Sequence, residues 1–281
     1  MKLTRFRGTF EKHAPGLARI YRLLRDEWQA SHAPMARMPE GFLLAGDETM
    51  RLGTFEPQER RIIVRELRNA DVFVDIGANI GYYTCLTRAG GLHVVAIEPL
   101  PFNLKNLFRA LEANQWDDVE TWPVAVAERP GSLPLWGANT GASLVPGWAG
   151  SSLQYRQMVP VTTLDTLLDR RFAGKRLLVK MDIEGAEYRA LLGGTSLLER
   201  DPHPVWLVEI TLDMHHPTAN QHFSDTFALF LDRGYRAFAA NGEETPISRE
   251  EIASWQLQGR CSAGVHNWLF VHPGSSIGSE R

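Results

Sequence analysis

Cysteine is scarce in this chain. Cys85 and Cys261 are the only two among 281 residues. Neither lies in a CxxC pattern, so neither a disulfide framework nor a structural zinc site is expected. Low cysteine use is compatible with a reducing compartment, and the expected location is cytoplasmic. No apolar run is long enough to cross a bilayer. The opening MKLTRFRGTFEKH is charged and has no signal-peptide core behind it. An excess of positive charge is also missing: 30 Lys and Arg stand against 33 Asp and Glu, a formal net charge of −3. A general nucleic-acid-binding surface is therefore not expected. There are no internal repeats and no low-complexity tracts. The remainder is an ordinary globular composition, 44% hydrophobic and 22% charged, long enough for one large domain or one domain plus an appendage.

Residues 12–31 read as one helix, with Leu17, Ile20, Leu24 and Trp28 on a single face. That stripe needs covering, by the domain itself or by a partner subunit such as a second copy of the chain, and the basic residues leave binding to a membrane surface as the alternative. Pro34 and Pro39 break the pattern, and Phe42 to Phe55 reads as a short hairpin around Gly46-Asp47. Residues 1–54 are thus expected to form an appendage of helix and hairpin. A helix is expected from Pro57 to Arg68, with Pro57 in its first turn. From there apolar strands alternate with helices, the order that builds an α/β domain around a parallel sheet, here over residues 55–273. The expected strands are VFVDI, HVVAIE, VETWPVAV (Val119 to Val126), RLLVKMDIE, VWLVEIT, YRAFAA and VHNWLFV. An interruption over 128–155, rich in Gly, Ser and Trp, carries SLPLW, and MVPVT follows it. Its Trp136 and Trp148 suit either a lid over a substrate or a small satellite core. The tail, 274–281, reads as flexible.

VFVDIGANIGYYT is the most informative segment. A strand ends in Asp75, and Gly77, Asn79 and Gly81 carry the turn into a helix. Glycines allow a ligand to approach the backbone, and a helix N-terminus attracts an anionic group. About twenty residues on, the next strand ends in Glu98, where a carboxylate can accept ribose hydroxyls. A dinucleotide would need GxGxxG. Here Asp75 stands where phosphates would lie, which disfavours them. The same carboxylate suits the ammonium and sulfonium of S-adenosylmethionine, the expected cofactor.

These motifs, in order, resemble the FkbM-type methyltransferases. The resemblance runs from about Phe55 to Tyr235. It is carried by FEPQE, VFVDIGANIGYYT, AIEPLPFNLKNLFRALEANQ, PVAVAERPGSLPLW, TGASL, VPVTTLDTLL, LVKMDIEGAEYRALLGG and VWLVEIT. It implies a Rossmann-like class I methyltransferase fold, with a mostly parallel seven-stranded sheet and helices on both faces. It implies O-methylation of a hydroxyl, on a sugar or a polyketide. It assigns Asp75, Gly77, Asn79 and Gly81 to the cofactor turn and Glu98 to the ribose. Ala127-Glu128 departs from the family's Gly-Asp, next to the expected adenine contacts.

Ligands of open α/β sheets bind beyond the carboxyl ends of the strands. KMDIEGAE brings Asp182 and Glu184 to such an end, with Lys180 two residues earlier. The next strand ends in Glu209, followed by His215 and His216. Methyl transfer to a hydroxyl needs alignment and a base. Asp182, Glu209, His215 and His216 are the candidates, with Lys180 beside them. Plainer readings stand next to these. Glu184 and Glu187 suit a helix start, Lys180 suits pairing with a carboxylate, and His215-His216-Pro217 suits an ordinary loop. No close-spaced ligand motif supports a metal site. The leading reading is an O-methyltransferase for a sugar, a glycan or a related small molecule. A natural-product acceptor such as a polyketide, a nicotinamide-dependent oxidoreductase and an inactive scaffold of the same fold are the alternatives.

Overall fold

The computed structural model describes residues 32–137, 141–151, 153, 155–216 and 218–275. The expected helix over 12–31, and any subunit contact through it, lies outside the described residues, as does the tail from 276.

The described chain opens with β1 (Ala36–Arg37) paired antiparallel to β2 (Leu43–Leu44). The hairpin thus turns at Pro39–Gly41, not at Gly46-Asp47. Asp47 instead caps α1 (Glu48–Arg51), its carboxylate accepting the Met50 N–H at 3.0 Å. That is the usual competition between a turn and an N-cap for an aspartate. Helix α2 (Pro57–Glu66) continues into a 3-10 turn at Leu67–Asn69.

Next come β3 (Val72–Ile76), α3 (Tyr82–Ala89), β4 (His93–Ile97), α4 (Pro101–Ala113) and β5 (Glu120–Trp122). The single strand expected over Val119 to Val126 is broken. Pro123 has no N–H to offer a ladder, and the Val124 N–H turns back to the Trp122 carbonyl at 2.9 Å. Ala125–Val126 becomes β6 of a separate sheet with β7 (Gly131–Trp136) and β8 (Arg156–Thr162), in the order β6-β8-β7. Helix α5 (Leu164–Leu168), β9 (Leu177–Met181), α6 (Glu187–Leu192), α7 (Thr195–Glu199), β10 (Val205–Glu209), α8 (Phe223–Leu231) and β11 (Arg236–Ala239) follow. Helix α9 (Arg249–Gln258) was not expected, although Ser248 and Glu251 form a reciprocal capping box at its start. Strand β12 (Asn267–Val271) ends the sheet.

The main sheet has seven strands in the order β11-β12-β10-β9-β3-β4-β5. It is mixed: β12 runs antiparallel to β10 and β11, while the ladders from β10 across to β5 are parallel. Alternation along β3 divides the interior. Val72, Val74 and Ile76 face a core with α5 to α9, and Phe73 faces one with α2, α3 and α4. Met38, Phe42 and Leu44 of the opening hairpin are buried in the second core. Strand order reverses between β3 and β9, which opens a crevice at their carboxyl ends.

Candidate active site

The turn after β3 is set by close backbone approach. Gly77 has φ +84°, and a Cβ there would stand 1.9 Å from the Asp182 carbonyl oxygen. The Asp182 N–H in turn bonds the Ile76 carbonyl at 3.0 Å. Gly81 has φ +95° and would meet Leu107 at 2.5 Å. Asn79 takes φ +52°, a region that asparagine tolerates better than most residues. Its N–H donates to Glu98 Oε2 at 2.9 Å, tying the turn to the end of β4. The other Glu98 oxygen accepts from the Leu100 N–H at 2.8 Å and from Asn103 Nδ2 at 3.2 Å. Burial pushes the Glu98 carboxyl up to about 7, against those three hydrogen bonds.

These groups border a cavity of about 340 Å³ at the carboxyl ends of β3, β4 and β9. Asp75, Gly77, Asn79, Glu98, Lys180 and Asp182 belong to its wall, whereas Gly81, Glu209 and His215 do not. Asp75 is buried and accepts the Thr84 hydroxyl at 2.6 Å. Burial raises its pKa, opposed by the nearby Lys180. Lys180 Nζ lies 2.9 Å from Asp182 Oδ2 and 4.9 Å above the Tyr83 ring. Burial alone would lower the Lys180 pKa, but Asp182, Glu56 and Asp75 outweigh it and hold the ammonium charged.

Asp182 and Glu209 come together as the strand ends predict. Met181 and Val208 pair across β9 and β10, and each acid is the next residue along. Burial would raise Asp182, but Lys180 outweighs burial and holds it below the usual carboxylate range. Burial and the adjacent Asp182 charge push Glu209 well up, and the two carboxyls hydrogen-bond. Glu184 stands in the cavity wall at φ +58°, and burial followed by the Asp182 charge lifts its pKa to about 7. Glu187 is buried and accepts the Ile183 and Gly185 N–H groups, each at 3.1 Å, and burial lifts it to about 8. It braces the turn that presents Glu184, in keeping with a structural role.

The inserted segment reaches the same place. Trp148 starts a 3-10 turn at Trp148–Gly150 and is buried, its Nε1 donating to Glu184 Oε2 at 2.5 Å. Its ring lies over Gly185, where a Cβ would come within 2.3 Å of it. His216 packs edge-on against that ring at 4.6 Å, and burial lowers its pKa to about 4. His215 is exposed at φ +66°, its carbonyl accepting the Ala149 N–H at 2.7 Å. Glu128 turns to Arg189 with hydrogen bonds of 2.8 and 3.0 Å.

Two wall residues carry no role in the sequence reading. Glu56 accepts the Tyr83 hydroxyl at 2.8 Å and sits at φ +39° before α2 without capping it. FEPQE contains it, but nothing in that run signals a cavity. Asn103 was one polar residue in a helix, with no pattern to single it out. No group of three or more His, Cys, Asp or Glu that could hold a metal occurs among the described residues. None of the described helices is long and apolar enough to span a membrane.

The buried carboxyls make stability fall with pH. Glu98 and Glu184 near 7 and Glu187 near 8 titrate above their unfolded values of about 4.3. Across that interval the folded state binds more protons, so raising the pH favours unfolding. His216 acts in the opposite sense, but between about 4 and about 6.5, outside the upper part of that interval. The melting temperature of the cofactor-free protein should therefore drop by several degrees between about pH 6.5 and about pH 8. Glu187→Gln should flatten the drop; an unchanged slope in that variant would refute the assignment.

The cavity suits a cofactor with both cationic and nucleoside parts. Its one lysine is already neutralised by Asp182. Its carboxylates remain for positive charge, and Leu100, Val126, Leu135 and Leu144 give part of the wall an apolar surface. A mixed seven-stranded sheet with this cradle at its switch point is the architecture of S-adenosylmethionine-dependent methyltransferases. The methyltransferase FkbM domain matches residues 75–237, more than half of the chain, and the chain belongs to that family. It is an enzyme, and its cofactor is S-adenosylmethionine.

Solved structures with similarity include precorrin-6y C5,15-methyltransferase from Geobacter metallireducens, at 13% identity and a TM-score of 0.40, covering 82% of this chain and 92% of that one. Magnesium protoporphyrin IX methyltransferase from Synechocystis, with bound S-adenosylmethionine, shares 8% identity at a TM-score of 0.42, covering 96% of each chain. Fibrillarin from Aeropyrum pernix, in complex with S-adenosylmethionine, shares 8% identity at a TM-score of 0.38, covering 73% of this chain and 67% of that one. None of the curated proteins compared matches the chain.

Proposed function

We propose that the enzyme methylates a hydroxyl group of a sugar, a glycan or a related hydroxylated small molecule. The observation that carries this reading is the acid set beyond the ends of β9 and β10: Glu184 and Asp182 in the cavity wall, with Glu209 next to Asp182. A hydroxyl is a weak nucleophile and needs a base near the working pH. Glu184, with a pKa near 7, meets that requirement.

S-adenosylmethionine supplies an electrophilic methyl carbon on a sulfonium. The chain's own residues do the rest. Asp182, kept ionised by Lys180 at 2.9 Å, accepts a hydrogen bond from the acceptor and orients it. Glu184 takes the hydroxyl proton as the oxygen bonds to the methyl carbon. Held by the turn after β3 and by Glu98, the cofactor would supply the methyl group and leave as S-adenosylhomocysteine, the acceptor becoming a methyl ether. Lys180 sets the charge of Asp182, and His215 secures the Trp148 turn through its carbonyl.

Methyl-labelled S-adenosylmethionine and a panel of mono- and oligosaccharides and polyketide alcohols test the acceptor class. Label should enter a carbohydrate as an alkali-stable methyl ether. Transfer confined to polyketide alcohols, or to nitrogen or carbon, would overturn the reading.

A further inference from the structure

Glu98 is nearly saturated before any ligand arrives. A carboxylate offers about four lone-pair positions, two on each oxygen. Oε1 accepts from the Leu100 N–H and Asn103 Nδ2, and Oε2 accepts from the Asn79 N–H. One position remains, on Oε2. A ribose diol brings two O–H donors, so Glu98 alone cannot accept both.

The neighbouring side chain can supply the second acceptor. Asn103, on the first turn of α4, is 2% exposed and belongs to the wall of the same cavity. Its Oδ1 is buried and has no hydrogen-bond partner. Buried amide oxygens are seldom left in that state without a reason. The contact of Nδ2 with Glu98 fixes the orientation of the amide, since turning it over would set Oδ1 against a carboxylate. The unpaired oxygen therefore belongs on the side away from Glu98 Oε1.

We infer that Glu98 Oε2 and Asn103 Oδ1 hold the vicinal diol of the cofactor's ribose together, each accepting one hydroxyl. The division of labour makes Asn103 a determinant of cofactor recognition. It selects a nucleoside with both hydroxyls over its deoxy forms. The inference rests on the cavity being the S-adenosylmethionine site.

Calorimetric titration with S-adenosylhomocysteine and its 2′-deoxy and 3′-deoxy analogues tests it, on the wild type and on Asn103→Leu and Asn103→Ala. In the wild type each missing hydroxyl should weaken binding, by about tenfold or more for the one on Glu98 and about three- to tenfold for the one on Asn103. In both variants the smaller penalty should vanish and the larger should persist, the signature of a pairwise contact. Either analogue binding the wild type as tightly as S-adenosylhomocysteine would overturn the inference, and this arm needs no variant to fold. So would both penalties surviving in a folded Asn103 variant. No binding of S-adenosylhomocysteine to the wild type would overturn the cofactor site as well, so the two failures are distinguishable.

Discussion

Glu184→Gln should lower turnover by about 10²–10⁴-fold while cofactor affinity stays within about threefold. The substitution keeps the shape of the side chain and an oxygen for the Trp148 indole N–H, so the turn should survive. Only the ability to take a proton goes. The wild type adds a second readout. Its kcat should rise with pH through about 7, as Glu184 loses the proton that burial and Asp182 hold on it. In the variant that inflection should disappear. Asp182→Asn gives a different pattern. It removes the charge that orients the acceptor and leaves Lys180 without its 2.9 Å partner. Turnover should fall with the inflection retained but moved to lower pH, because Glu184 still titrates but no longer feels the Asp182 charge. If Glu184→Gln keeps near-full turnover and Asp182→Asn or Glu209→Gln abolishes the inflection, the base belongs to the Asp182–Glu209 pair instead.

Gly77→Ala should cost both the fold and the cofactor. The added carbon would lie 1.9 Å from the Asp182 carbonyl oxygen, which is backbone and cannot swing aside. The residue must also hold φ +84°, which penalises any side chain. Overpacking and backbone strain together should destabilise the protein by about 2–5 kcal/mol. The damage cannot stay local, because the end of β9 would have to part from the end of β3. Thermal unfolding should show a clear loss in Tm, and S-adenosylmethionine binding should be undetectable at concentrations that saturate the wild type. Gly91→Ala is a fair control: Gly91 also has positive φ, but a Cβ there meets nothing within 4 Å. Equal effects from the two substitutions would mean that backbone strain alone, not the approach of Asp182, explains Gly77.

What could be seen in the sequence follows from what is local. The end of β3 was legible because a carboxylate and closely spaced glycines have few other reasons to follow an apolar strand. Glu98 was legible because the next strand must lie beside it. The meeting of Asp182 with Glu209 followed from adjacent parallel strands ending in acids. Three features depended on competition that composition does not resolve. Gly46-Asp47 could turn a hairpin or cap a helix, and the cap prevailed. Pro123 could sit inside an edge strand or end it, and it ended β5. Glu184 could favour a helix dipole or face a ligand, and only burial beside Asp182 gives it a pKa near 7. Asn103 and Glu56 were invisible because no local pattern marks either as facing a cavity. Glu56 is placed by Tyr83, 27 residues on, and Asn103 by Glu98, a contact that helical spacing alone does not reveal. Helix α9 is a different case: Ser248 and Glu251 stood at capping-box spacing and could have been read.

In the proposed site S-adenosylmethionine lies against Glu98 at the carboxyl end of β4. Calorimetric titration of S-adenosylmethionine into the wild type and Glu98→Ala tests this most directly. Glu98 faces the cavity with one acceptor position open, and losing a charge-assisted hydrogen bond costs about 1.5–3 kcal/mol. The wild type should bind one equivalent, and the variant should bind about ten- to a hundredfold more weakly with its fold retained. Equal affinity in a folded Glu98→Ala protein, or no binding to the wild type, would contradict the account.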